Sequence, residues 1–401
     1  MHVTLKGTRL TPHLTMNLIG FSYIASFSVI SPILSIYLKD VIRAPVEIIG
    51  LVTATFFIAS AFAKFLLGIL GGGKKIINLL FSAFLIFSVC PMLYPLVNQS
   101  LILLVVRAIQ GFAYALIGTA SIILAALSIS RVERDQGVGT YTAFLSLGFL
   151  AGPTITTISI PLFGVSDTFY LAGLMGFIGI YASYVLYRKF SKIDEDWQIM
   201  SVTVEKERLR TKISAVLRNK MFETGFIGVI SFYLLFGVML TYAPLYAKEN
   251  FGFSDELVSI LFLLYYVATT FTRFSIGKIV GKLSKTILMV LTVGFTSVLS
   301  LVLAVVKNNL GFIVVFALIG AIQGVIFPVG SMLIAEHVHP SRNTLASSLY
   351  MMGIDVGQGL APLITAGVTV KYGLEHGFTV SAVVSAIATV LVVWLIRRKT
   401  D

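Results

Sequence analysis

Uninterrupted apolar runs of about twenty residues or more recur along the whole chain, and they restrict what it can fold into. A helix needs roughly 20 mostly apolar residues to cross a hydrocarbon core of about 30 Å. Inside that core each backbone N–H and C=O must be satisfied internally, so only helices or a closed barrel will serve. The runs lack the period-two alternation of a barrel strand. With 57% hydrophobic and 12% charged residues, against about 25% charged in soluble domains, the sequence predicts an all-α membrane protein. Twelve spans are expected, at about 14–38, 46–70, 76–97, 100–128, 139–163, 168–187, 221–247, 256–277, 285–306, 310–335, 343–370 and 377–396. The first run is too long for the 7–15-residue core of a cleavable signal. The single cysteine, Cys90, sits in an apolar run, which excludes a disulfide framework or a thiolate metal site. No metal or cofactor is expected.

The formal net charge of +12 has a placement that explains it. One set of loops carries Lys6, Arg9, Lys74, Lys75, Arg131, Arg134, Lys278, Lys282, Lys285, Arg342, Arg397, Arg398 and Lys399, together with the basic residues of the segment 188–220. The other set carries only Lys39, Arg43, Lys248, Lys307 and Lys371. The positive-inside rule then puts both termini in the cytoplasm. The expected placement is multi-pass in the plasma membrane, with no nucleic-acid partner and a monomeric state.

Residues about 209 apart repeat one another. Lys64-Phe-Leu-Leu-Gly68 matches Arg273-Phe-Ser-Ile-Gly277, Tyr37-Leu-Lys-Asp40 matches Tyr246-Ala-Lys-Glu249, and Gly148…Pro153 matches Gly357…Pro362. Ala108-Ile-Gln-Gly111 recurs as Ala321-Ile-Gln-Gly324, displaced by a further four residues, which would set Gly320 opposite Arg107. Together the matches indicate two homologous six-helix halves, 1–187 and 221–401, joined by a cytoplasmic linker at 188–220. Leu209, Ile213, Val216 and Leu217 give that linker an apolar helical face. An even number of spans per half makes the repeats parallel, which is a transporter architecture.

Four stretches carry a resemblance over essentially the whole chain. They are Leu103…Arg107-Ala-Ile-Gln110-Gly111, Gly148-Phe-Leu-Ala-Gly152-Pro153, Gly277-Lys-Ile-Val-Gly281-Lys282, and a shortened first-half copy of the last, Gly68 to Lys75, which lacks the usual acidic residue. In these the chain resembles the major facilitator superfamily, and the glycine-proline stretch resembles a motif of its drug/proton exporters. The resemblance implies two pseudo-symmetric bundles working by alternating access, with spans 1, 4, 7 and 10 lining a cavity and Arg107 implicated in proton coupling. Independently of it, glycines at i and i+4 allow close helix approach, and Pro153 removes a backbone hydrogen bond and kinks its helix. Gly148, Gly152 and Pro153 are therefore either a hinge or seal at the seam between halves or a packing face.

Ionisable residues within spans are candidates for function. Arg107 lies about seven residues, or roughly 10 Å, into span 4, with Gln110 and Tyr114 on the same helical face. This stripe either lines a watery cavity or holds a structural arginine. Asp355, about 18 Å into span 11, is the foremost candidate for a protonatable group. The resemblance brings spans 2 and 11 together, so Asp355 either carries protons or pairs with Lys64 as a latch. Arg273, the counterpart of Lys64, has no acidic partner in span 5 and is expected to snorkel to lipid phosphates. Gln323, Tyr23 and Tyr242 are further cavity candidates, and Gly277 and Lys282 further gating candidates. The expected activity is proton-coupled efflux of a lipophilic small molecule. Uptake of a metabolite or organic anion, by symport or facilitation, and a transporter-like sensor are the alternatives. An intramembrane enzyme would need a nucleophile–base pair, and His2, His13, His337, His339 and His376 all fall at termini or in loops.

Overall fold

A computed structural model describes residues 12–70, 75–127, 134–190 and 209–398. Lys6, Arg9, Arg131, most of the predicted linker and part of the shortened basic motif before Lys75 lie outside these residues. Twelve helices organise the rest. They are α1 (Pro12–Ile30), α2 (Val46–Leu70), α3 (Lys75–Leu93), α4 (Ser100–Leu127), α5 (Arg134–Phe190), α6 (Leu209–Leu217), α7 (Lys220–Phe251), α8 (Asp255–Val280), α9 (Lys285–Val305), α10 (Asn309–His337), α11 (Asn343–Tyr372) and α12 (Glu375–Arg397). A helical turn and a short π-helical stretch, Tyr37–Val41, extend the first span.

Ten helical segments among the described residues are long and apolar enough to cross a membrane. The predicted count of twelve turns on two cases. α5 holds predicted spans 5 and 6 as two arms that meet at Gly164, whose φ of 82° and ψ of 172° break the helix, a conformation glycine adopts without a Cβ penalty. α11 coincides with predicted span 11 but is not among the ten. The polar ends of the helices are marked by local chemistry. Asn219, Ser254, Ser284 and Asn308 cap α7, α8, α9 and α10 by accepting hydrogen bonds from first-turn N–H groups, and α7 stops at left-handed Gly252.

The halves repeat in space as well as in sequence. A Cβ at Gly148 would lie 2.7 Å from the Phe21 carbonyl oxygen, and one at Gly357 would lie 2.7 Å from that of Ile230. A Cβ at Gly111 would lie 2.0 Å from the Phe56 oxygen, and one at Gly320 would lie 2.2 Å from that of Tyr265. All four pairs keep the 209-residue offset. This corrects the sequence alignment of the two AIQG stretches. The second lies about one turn further along α10, because the glycine that permits backbone contact sets the register. The counterpart of Arg107 is therefore Phe316 rather than Gly320, and that of Tyr114 is Gln323.

Among the described residues the halves meet chiefly between α2 and α11 and between α5 and α8, with smaller contacts of α7 to the end of the first span and to α2. Asn219 donates to the His337 carbonyl at 2.9 Å and Lys220 to that of Arg398, which identifies one end of the bundle, the basic end. At the opposite end Lys39 pairs with Glu249, and Lys248 pairs with Asp40 at 2.7 Å and Asp255 at 2.5 Å. Lys39 and Lys248 are counterparts, as are Asp40 and Glu249, so each half supplies the same cation to the other half's carboxylate. All these side chains are partly exposed, so neutralising Lys39 alone should cost about 1 kcal/mol or less, read as a small shift in thermal midpoint.

Candidate functional site at the seams between the halves

The α2–α11 seam contains a buried ion pair. Lys64 Nζ lies 2.7 Å from Asp355 Oδ2, and the Ser60 hydroxyl donates to the same oxygen at 2.7 Å. Ser60 stands one helical turn before Lys64, so both reach one carboxylate from the same face of α2. The structure thus has the pairing that the sequence left as one of two readings. A charge at a helix centre costs roughly 2.5–3.5 kcal/mol on insertion scales. The pair and the hydroxyl offset that cost for both residues at once.

An aromatic wall adjoins the pair. Lys64 Nζ lies 5.7 Å from the centre of the Tyr114 ring. Tyr114 in turn packs on Tyr23, Phe27, Phe56 and Phe87 at 5.2–6.1 Å between ring centres. Tyr114 is half-buried and Tyr23 nearly fully buried. An ammonium, a carboxylate and a bank of rings thus meet at one place on the seam.

The polar stripe predicted on α4 divides. Tyr114 faces the pair, whereas Arg107 and Gln110 are 3% and 0% exposed. Arg107 Nη1 donates to Gln110 Oε1 at 3.0 Å and to the Tyr94 hydroxyl at 3.3 Å, and its guanidinium lies 4.2 Å from the centre of the Phe56 ring. The Tyr94 hydroxyl also donates to Gln110. Both side chains lie within the first half, held by α2 and the end of α3, and not on open space. The 100° step per residue that put the three on one face is too coarse to separate neighbours a full turn apart.

The α5–α8 seam is the counterpart of the first. Arg273, expected to snorkel to lipid phosphates, reaches across the seam to the first half. Its Nη1 lies 3.4 Å from the Ser146 hydroxyl across the seam, and its guanidinium 6.0 Å from the Phe327 ring centre. Beside them Phe149 stacks on Tyr266 at 4.8 Å. Gln323, buried, donates to the Tyr233 hydroxyl at 3.4 Å and accepts from Thr269 at 3.2 Å. The seam residues Ser60 and Ser146 are missing from the sequence candidates. Same-face spacing from Lys64 would have found Ser60, and the 209-residue offset from Asp355 would have found Ser146.

The remaining candidates lie apart from the pair. Gly148 and Gly152 face α1 of their own half: a Cβ at Gly152 would meet the Ser28 hydroxyl at 2.0 Å. The Ser28 hydroxyl also donates to the Gly148 carbonyl at 2.8 Å. The glycines and the buried Pro153 are thus a packing face, and it is Ser146 and Phe149 of the same arm that meet the other half. Tyr242 is fully buried and donates to the Pro362 carbonyl at 3.2 Å, with its hydroxyl 3.0 Å from a Cβ built at Gly50 of α2, so it lies where the two halves meet. Gly277 has nothing within 4 Å of a built Cβ, and Lys282 is exposed.

Two repeated bundles with charged and aromatic seams between them define a membrane transporter. The family model of the Major Facilitator Superfamily matches residues 16–311 and again 225–401, and the chain belongs to that family. It is 23% identical over 381 residues to an MFS-type transporter of Methanocaldococcus jannaschii, covering 94% of this chain and 96% of the relative. It is 22% identical over 386 residues to the multidrug resistance protein MdtG of Rahnella, covering 94% and 91%. Among solved structures, a bacterial homologue of the human lysosomal transporter Spinster, inward-facing and unoccupied, superposes with a TM-score of 0.75 at 12% identity, covering 98% of both chains. The nucleoside transporter NupG gives 0.70 at 16% identity, covering 97% of this chain and 100% of that one.

Proposed function

We propose that the protein exports a small, largely apolar molecule in exchange for protons, with its basic end in the cytoplasm of a plasma-membrane protein. The observation that carries the reading is the Lys64–Asp355 pair, which ties one half to the other at a carboxylate able to take up a proton. Protonating Asp355 cancels the attraction across the α2–α11 seam and frees the halves to rock, so proton entry and conformational change become one event. The aromatic wall beside the pair suits an apolar cargo, and the relatives named as multidrug resistance proteins support export.

The test uses the purified protein in liposomes with a lipophilic fluorescent dye and an imposed pH gradient. Dye should accumulate against its own gradient, and collapsing the pH difference should abolish accumulation. Dye movement that is the same with and without the gradient would reject proton coupling.

A further inference from the structure

The two seams follow one plan and are filled differently. Ser60, Lys64 and Asp355 on one correspond, residue by residue at the 209 offset, to Thr269, Arg273 and Ser146 on the other. In the first the cation has a carboxylate at 2.7 Å. In the second it has a serine hydroxyl at 3.4 Å, near the limit of a hydrogen bond. Arg273 makes no ion pair among the described residues, and its buried Nε has no partner. Thr269 does not compensate, because its hydroxyl is used on the Gly320 carbonyl at 2.8 Å and on Gln323. The scaffold of a charge pair is thus present with one charge missing.

A guanidinium held between helices with no counter-charge is costly unless something supplies one. Part of the Arg273 residue remains exposed although its Nε is enclosed. The Phe327 ring centre lies 6.0 Å from its guanidinium, Phe149 stacks on Tyr266 further along the same seam, and Phe271 and Phe274 of α8 are 75% and 73% exposed.

We propose that Arg273 and Ser146 form a binding site for the anionic head of an amphipathic molecule, a carboxylate, sulfonate or phosphate, which supplies the negative charge that Asp355 supplies at the other seam. The guanidinium offers the planar fork that such groups accept, the serine hydroxyl a further donor, and the rings a place for the apolar body. Where the molecule is the cargo, this assignment rests on the transport reading above and narrows the substrate class to amphipathic anions. The same chemistry admits an anionic lipid head group entering past Phe271 and Phe274.

Binding to the purified full-length chain in neutral detergent tests the site without requiring transport. The soluble probes are 2-naphthoate and its uncharged amide, which share one ring system. The lipid probes are phosphatidylglycerol and phosphatidylcholine, read by the rise in thermal midpoint. The wild type should prefer the anion to its neutral analogue by at least about tenfold, the worth of one charge-assisted hydrogen bond. Arg273→Gln should remove the preference. Ser146→Asp should also remove it, by giving Arg273 an internal carboxylate, and should raise the thermal midpoint, which keeps the test valid if Arg273→Gln fails to fold. A preference for naphthoate identifies a cargo-type ligand, and a preference confined to phosphatidylglycerol identifies a lipid. A wild type indifferent to both anions, or a Ser146→Asp variant that keeps the preference, overturns the proposal. Anion binding in a protein that moves no probe in liposomes would leave this site standing and remove the export reading.

Discussion

Asp355→Asn is expected to reduce transport by about tenfold or more. Removing one partner of a buried ion pair costs about 3–5 kcal/mol because the other charge is stranded. Here Lys64 is the charge left behind, 14% exposed in its side chain beside a carboxylate 2% exposed, so the lower end of that range applies. Even about 1.4 kcal/mol shifts a conformational equilibrium tenfold. The double exchange Lys64→Asp with Asp355→Lys separates the two roles. If the pair only latches the halves, the exchange restores flux, because the attraction is the same in either direction. If Asp355 itself carries the proton, the exchange stays as inactive as Asp355→Asn, because α11 no longer presents a titratable carboxylate. Flux in liposomes, measured with and without a pH gradient, distinguishes these outcomes.

Gly152→Val is expected to prevent folding. A Cβ there would lie 2.0 Å from the Ser28 hydroxyl, 2.4 Å from the Ser28 carbonyl carbon and 2.5 Å from the Val29 nitrogen. Two of these are backbone atoms of α1 and cannot swing aside. Overpacking of flexible cores costs about 1–3 kcal/mol, and a clash of backbone with backbone exceeds that range. The second half makes the same approach with the small residues exchanged. There the position of Gly152 holds Ala361 and that of Ser28 holds Gly237, whose built Cβ would meet Ala361 at 2.7 Å. The same close approach is kept with the glycine on the other helix. Ser28→Gly in the first half would remove only the hydroxyl at 2.0 Å and leave the backbone contacts at 2.4 and 2.5 Å, so Gly152→Ala should fold poorly with or without it. Gly277→Ala, at a position with nothing within 4 Å, serves as the control and should be neutral or gain up to about 1 kcal/mol of helix propensity. The yield of monodisperse protein and its thermal midpoint measure all four variants.

Much of the architecture was legible because the bilayer imposes it. Apolar run length located the helices, and the 209-residue offset reappears in the glycine contacts of α4, α5, α10 and α11. The Lys64–Asp355 pair was legible as one option because a buried cation and a buried acid each need a partner, and the resemblance brought their spans together. Side-chain direction was harder to read. Arg107, Gln110 and Tyr114 share a helical face by spacing, yet two turns separate a core arginine from a ring at the seam. Gly148 and Gly152 announced a close approach without saying to which helix. The AIQG repeat misled by one turn, because the backbone contact of Gly111 is repeated by Gly320 and not by Gly324. For Arg273 a search for an acidic partner found none, and the serine it meets across the seam was not sought. The offset that aligned it with Lys64 also aligned Ser146 with Asp355.

Alternating access requires the end of the bundle opposite the basic end to open, and the reciprocal pairs there make that requirement testable. Lys39 and Glu249 are in contact across the halves, and the chain's only native cysteine, Cys90, is buried. In the Lys39→Cys, Glu249→Cys variant a disulfide can therefore be formed selectively, and dye flux in liposomes measured before oxidation, after it, and after reduction. Flux should be lost on oxidation and recovered on reduction. Undiminished flux through the cross-linked protein would contradict a mechanism in which the two halves part at this end.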